Sequence, residues 1–440
     1  MSILFKLPDN LVSLLLLEWV GVSDVTHLDS ACCNHFDRTM LLEALQSPQN
    51  VFCAAHHIFH CIRWMVLRSM KCATASIWCS KEFEESTFCR FLHLCGEHLK
   101  ELAFCMNSNQ PTKISFLLEE VIRHSPNLES LCVETSSQQD TVLHLISQLP
   151  KLKKLDLIGG QTVRTTHEGG HIASLTQLQT LVLTGRTSNP FNPPFFESVL
   201  QAAPCLTHLE LKYVDGVKFE AIAYLCPNLR TLSLVNTAIR ATNLVLISEK
   251  CPHISNLKLD HFWSGEEDSV YEAVFQNLQL HTLYLNHCYA SDTAISYIGK
   301  HLHNTLTTLY FSREMRQCDC SVYWNVLQQC NRLHTLLMDA SLLYALGFYH
   351  DRLKSELSTF EHIQSLRLQT TLCRALQFIH ELFPNLRALQ VHSGADEVMD
   401  NLIGTVESCT QLRTLHVQKM QDTTKRAMQN INPRLLIYTN

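Results

Sequence analysis

The sequence predicts an α/β solenoid, with a curved parallel sheet on the concave side, helices on the convex side and a small helical cap at the N-terminus. Three observations lead there. The pattern Leu-x-x-Leu-x-Leu, plain at Leu206-Thr-His-Leu209-Glu-Leu211, recurs with its first apolar residue at Leu99, Leu128, Leu152, Leu178, Leu206, Leu229, Ile254, Leu280, Leu306, Leu333, Ile363, Leu386 and Leu412. Neighbouring copies are 23 to 30 residues apart. Between copies lies a stretch at helical spacing, such as Ala221-Ile222-Ala223-Tyr224-Leu225.

A period of about 20–29 residues with this pattern is that of a leucine-rich repeat. The last two apolar positions are two apart, so they share one face of a short strand. One strand cannot bury that face alone, and stacked copies share a continuous core. Proline marks the corner before several copies, in Ser125-Pro126-Asn127, Cys226-Pro227-Asn228, Cys251-Pro252-His253 and Phe383-Pro384-Asn385. It cannot continue a helix and restricts the residue before it, so the chain turns there.

At 440 residues and 46% hydrophobic content the chain can bury a long core. Net charge is −6, charged residues make up 17%, and no block of like charge occurs, so neither a nucleic-acid nor a membrane-surface footprint is expected. The apolar run Leu11–Val20 lacks a basic flank and is too short for a membrane span. An intracellular, soluble protein of cytoplasm or nucleus is expected. The 19 cysteines are scattered singly at apolar and corner positions, which suits small buried residues better than a disulfide framework.

Residues 1–45 differ in pattern from the rest of the chain. Pro8 and Asp9 start a helix carrying Leu11, Val12, Leu14 and Leu15, which Trp19 and Val20 close and Gly21 breaks; Ser23-Asp24 caps a second with Val25 and Leu28; a third holds Phe36, Met40, Leu41, Leu42 and Leu45. Three helices of this size bury little by themselves and lean on a neighbour or a partner. Leu7-Pro8, Leu11, Leu14-Leu15, Trp19, Asp24-Val25, Leu28 and Ala31-Cys32-Cys33-Asn34-His35-Phe36 together resemble an F-box. The Cys-Pro repeats are similar to the cysteine-containing subclass often fused to F-boxes, with Ile254–Lys258 and Leu280–Cys288 the better matches. The resemblance implies that Leu7, Pro8, Leu11, Leu14, Leu15, Trp19, Val25 and Leu28 dock on the adaptor subunit of a cullin–RING ubiquitin ligase, with the repeats holding a client protein. The other reading of residues 1–45 is a plain cap over the first repeat, which a solenoid needs.

Residues 46–98 read as a helical linker in which Ile62-Arg-Trp-Met65-Val-Leu67 is a degenerate first repeat. Cys53, His56, His57, His60 and Cys61 cluster there, but helical spacing splits them between two faces and no second ligand pair accompanies them, so no metal is expected. Cys318-Asp-Cys320 gives no better site. From 99 to 440 the repeats run on without a linker. Ile158–Gly170 and Gly185–Phe196 read as loops, the second stiffened by Pro190, Pro193 and Pro194 and bearing Phe191, Phe195 and Phe196. Pro433-Arg-Leu435-Leu436-Ile437-Tyr438 reads as a last strand.

The strand residue between the last two apolar positions points away from the core. Along the chain it reads Ala103, Cys132, Asp156, Val182, Glu210, Ser233, Lys258, Tyr284, Tyr310, Leu337, Arg367, Gln390 and His416. Lys258, Tyr284, Tyr310, Leu337 and Arg367 form the one run there of aromatic, apolar and cationic residues, the kinds enriched at contact sites, and are the expected client-binding residues. Asp260, Asn286, Ser312 and Asp339 are the expected polar rim. A cross-strand ladder that only stabilises the sheet is the alternative. No phosphate loop, His-Glu-x-x-His or Gly-x-Ser-x-Gly occurs, and the 24 histidines lack a paired nucleophile, so neither catalysis nor a cofactor is expected.

Overall fold

The computed structural model describes residues 39, 41–43, 51–52, 59–79, 83–106, 111–134, 139–159, 175–185, 193–214, 216, 218–262, 268–288, 290–311, 319–353, 357–369, 373–392, 396–418 and 420–439. The expected adaptor-binding residues Leu7 to Leu28 lie outside them, as do Cys53, His56, His57, Ser312 and Cys318. The chain divides into two compact units, Met1–Ala221 and Ile222–Asn440.

In the first unit, strands β1 (Val51–Phe52) and β2 (Lys71–Cys72) form a short parallel pair. Then β3 (Thr74–Cys79), β4 (Glu101–Met106), β5 (Ser130–Glu134), β6 (Lys154–Ile158), β7 (Thr180–Thr184) and β8 (His208–Lys212) pair in parallel, each with the next in sequence. Helices α1 (Phe59–Leu67), α2 (Glu85–Cys95), α3 (Pro111–His124), α4 (Gln139–Ile146) and α5 (Pro193–Ala202) fall between strands, and α6 (Glu220–Leu225) follows β8 and runs from the end of this unit into the start of the next. Parallel neighbours need a crossover rather than a hairpin, and among the described residues helices supply it after β3, β4, β5 and β7.

The second unit repeats the plan. Strands β9 (Thr231–Val235), β10 (Asn256–Asp260), β11 (Thr282–Asn286), β12 (Thr308–Phe311), β13 (Thr335–Met338), β14 (Ser365–Leu368), β15 (Ala388–Val391), β16 (Thr414–Val417) and β17 (Leu436–Thr439) pair in chain order, all parallel. Its helices are α7 (Ala241–Lys250), α8 (Asp268–Asn277), α9 (Asp292–Leu302), α10 (Cys320–Gln329), α11 (Ala340–Arg352), α12 (Ile379–Leu382), α13 (Asp396–Ser408) and α14 (Asp422–Ile431). Ser291 Oγ caps α9 by accepting from the Ala294 N–H at 3.2 Å, and Asp319 caps α10 by accepting from the Ser321 N–H at 3.0 Å. This is the leucine-rich repeat architecture that the spacing predicts.

The repeat residues occupy equivalent places. Leu232, Leu257, Leu283, Leu309, Leu336, Leu366, Leu389 and Leu415 align across the second unit in strand register and are at most 1% exposed. Beside them runs a row of hydroxyl-bearing residues, Thr282, Thr308, Thr335 and Ser365, whose short or β-branched side chains suit a pleated, half-buried face. At the corners, the Leu229 N–H donates to the Cys226 carbonyl and the Ile254 N–H to the Cys251 carbonyl, tight turns that swing the chain from helix into strand. Two residues past the last strand leucine the backbone takes positive φ at Gly159, Tyr213, Asn236, His261 and His287. The same bend therefore recurs, with Asn and His among its occupants, residues that tolerate this region better than β-branched ones.

Two local expectations are overturned. Ile62–Leu67 is helical, within α1, and the first repeat strand is β3, twelve residues further on at Thr74. Apolar residues at Ile62 and Met65 are three apart, a helical spacing that a short run cannot separate from a strand pattern, and both are buried. The tail of the expected Gly185–Phe196 loop is the first turn of α5. Pro193 and Pro194 suit a helix start, where the missing N–H has no intrahelical partner, and Phe195 and Phe196 point into the core at 3% and 0% exposure. The expected last strand is present as β17, paired with β16.

Candidate functional site

The run of residues singled out from the sequence is one unbroken row in the second unit. Register pairs Ser233 with Lys258, Lys258 with Tyr284, Tyr284 with Tyr310, Tyr310 with Leu337, Leu337 with Arg367 and Arg367 with Gln390. The Lys258 Nζ lies 4.9 Å from the centre of the Tyr284 ring, a cation–π contact. Tyr284 stacks on Tyr310 with ring centroids 3.9 Å apart and planes 17° from parallel.

The row is not uniformly open. Lys258, Tyr284 and Leu337 are half-buried and Arg367 is exposed, but Tyr310 is only 1% exposed. The Tyr284 ring covers one of its faces, and its hydroxyl reaches Asn286 Oδ1 at 3.2 Å and Gln369 Oε1, donating to one at a time. Gln369 Nε2 also donates to the Tyr284 hydroxyl at 3.4 Å. Burial pushes the pKa of both phenols above the ordinary tyrosine value, so both stay protonated donors. Tyr310 is thus a floor beneath Tyr284 and Gln369, not a contact residue.

The expected polar rim is likewise a support. Asn286 and Asp339 are 8% and 5% exposed, and Asp260 is half-buried. Asn286 Nδ2 donates to Asp260 Oδ1 at 2.8 Å, and His261 Nδ1 lies 2.8 Å from the same oxygen. The His261 ring in turn lies 4.4 Å from that of His287. A chain of polar contacts therefore runs from His261 through Asp260, Asn286 and Tyr310 to Gln369. Sequence reasoning missed Gln369, although it follows Leu368 as Asn286 follows Leu285 and extends the same row of positions. The accessible face is Lys258, Tyr284, Leu337, Arg367 and Gln369.

In the first unit, a surface cavity of about 430 Å³ is lined by Val66, Ser69, Cys89, Arg90, His93, Leu94, Glu120 and His124. Its buried charge, Glu120, pairs with Arg123 and lies 3.5 Å from His124 Nε2. The corner thiols stay protonated at neutral pH: burial pushes Cys226 and Cys330 up to about 12, and Cys251 and Cys409 up to about 11. Among the described residues, no helix is long and apolar enough to cross a membrane.

No protein-family profile matches the chain, and no curated protein matches it. Solved structures do. A chain of the TLR13–ssRNA13 complex is 14% identical, with 89% of this chain and 58% of that chain covered and a TM-score of 0.49. A chain of the yeast Rad7 and Elc1 complex is 15% identical, with 89% and 90% covered and a TM-score of 0.48. The internalin InlF of Listeria monocytogenes is 13% identical, with 83% and 86% covered and a TM-score of 0.38. The repeat assignment stands on the leucine spacing and the strand register themselves.

Proposed function

We propose that this protein is a non-catalytic client-binding subunit of a cullin–RING ubiquitin ligase. Residues 7–28 dock on the ligase adaptor, and the strand row around Tyr284 holds a client protein. Ubiquitin transfer takes place elsewhere in the assembly, and the chain acts by raising the effective concentration of client lysines near the charged conjugating enzyme. The observation that carries the binding half is the strand row in which Lys258 and Tyr284 on one side of the buried Tyr310, and Leu337 and Arg367 on the other, leave an aromatic face, an aliphatic side chain and a guanidinium accessible. The buried Tyr310 and Asn286 hold that face in one geometry, which lowers the ordering cost of binding. The ligase half rests on the F-box resemblance of Leu7-Pro8 through Phe36.

The test is a pull-down of the intact protein with the purified adaptor subunit beside a Leu7→Ala, Pro8→Ala double variant. Capture by the native sequence that the double variant loses supports the ligase reading. Equal absence of capture by both would leave residues 1–45 as a cap and the strand row as the face of a free-standing interaction scaffold.

A further inference from the structure

We propose that His350, Asp351 and Glu381 form a binding site for a divalent transition-metal cation of the zinc type. Helix α11 ends at Arg352, so His350 and Asp351 lie in its last turn, and Glu381 belongs to α12. The His350 ring stacks on Trp324 with centroids 5.5 Å apart and planes 12° from parallel, which fixes its orientation. The residue is only 7% exposed, and its Nδ1 is buried with no hydrogen-bond partner. Facing that nitrogen is Glu381 Oε2 at 3.9 Å, beyond hydrogen-bond reach. A buried polar atom in a native interior is normally satisfied, so this nitrogen calls for an occupant.

The separation suits an ion between the two atoms. Zinc binds imidazole nitrogen and carboxylate oxygen at about 2.0–2.2 Å in tetrahedral geometry, so two ligand atoms of one ion lie about 3.4 Å apart. The His350–Glu381 spacing of 3.9 Å is about half an ångström wider. One ligand atom each from His350, Asp351 and Glu381 lies within 4.8 Å of the others, and a small rotation at Asp351 or Glu381, neither fully buried, closes the remainder. Their partial exposure also gives the ion its entry path. Imidazole with two carboxylates favours zinc over magnesium or calcium, which prefer oxygen alone. The bound ion would tie the last turn of α11 to α12 and leave a position open for water.

Zn²⁺ titrated into the full chain by calorimetry, with Co²⁺ as a spectroscopic probe, tests this. The expected result is a binding event weakened at least tenfold in Asp351→Asn and in Glu381→Gln, each first shown to be folded by its thermal unfolding. Co²⁺ should quench the emission of Trp324, identified by its loss in Trp324→Phe, and the quench should vanish in Glu381→Gln. Folded Asp351→Asn and Glu381→Gln proteins that bind Zn²⁺ with unaltered stoichiometry and affinity would overturn the site. So would Trp324 emission indifferent to Co²⁺.

Discussion

Tyr284 and Tyr310 lie face to face across neighbouring strands, 3.9 Å between ring centroids, and the two residues have opposite roles. The outer ring is accessible while the inner one is sealed. From sequence they occupy equivalent positions, and Tyr310→Ala there looks like a change to the surface. In the structure it opens a cavity under Tyr284 and takes the Tyr310 hydroxyl from the buried Asn286 Oδ1. Tyr310→Ala should cost about 3–5 kcal/mol, the usual range for removing a buried aromatic ring. Tyr310→Phe, which removes only the hydroxyl, should cost about 1–2 kcal/mol. Urea unfolding of the two variants checks both; an Ala variant as stable as the native chain would contradict the buried placement.

Lys258→Ala should behave differently. Its ammonium leans on the accessible face of Tyr284, and an exposed cation–π contact contributes about 0.5–1 kcal/mol. Its unfolding midpoint should stay close to native. Client capture, by contrast, should fall in Lys258→Ala and Arg367→Ala alike, measured as the amount of cross-linked partner recovered. A client retained undiminished by both would remove this face from the binding site.

A pair of helical glycines gives an internal control. A Cβ at Gly347 in α11 would meet the Phe378 ring at 2.1 Å, inside a packed core, whereas one at Gly404 in α13 would meet nothing within 4 Å. Gly347→Ala should destabilise by about 1–3 kcal/mol through overpacking. Gly404→Ala should stabilise by up to about 1 kcal/mol, because alanine is the better helix former. Thermal unfolding should move the two midpoints in opposite directions.

The corner thiols make stability fall at high pH. Burial raises Cys226 and Cys330 from 9.0 to about 12, and Cys251 and Cys409 to about 11. Between those values the native chain keeps protons that the unfolded chain has released. Stability from this source is therefore whole below about pH 9 and declines as pH rises toward 11 to 12. Urea titrations at pH 8 and pH 10.5 should show the decline, and Cys226→Ala should lessen it. At pH 8 a thiol reagent should modify the exposed Cys205 and reach Cys226 and Cys251 only after denaturation.

The spacing of leucines from Leu99 to Leu412 was enough to place every strand from β4 to β16, because a two-residue alternation inside a fixed period has one economical solution, parallel stacking with the leucines inward. It also placed Lys258, Tyr284, Tyr310, Leu337 and Arg367 in a single row, since strand position fixes side-chain direction. Where the period gives out, so does that logic. Ile62–Leu67 and Pro193–Phe196 are helical and bury Ile62, Met65, Phe195 and Phe196, an outcome that a short apolar run does not separate from a strand or a loop. Direction is likewise not depth. Only the tertiary structure decided that Tyr310 and Asn286 are covered while Tyr284 and Gln369 are reachable, because cover comes from side chains on neighbouring strands. The same holds for His350, Asp351 and Glu381. His350 and Glu381 are 31 positions apart in the chain, and only the docking of α12 beside the end of α11 brings the carboxylate of Glu381 to the imidazole.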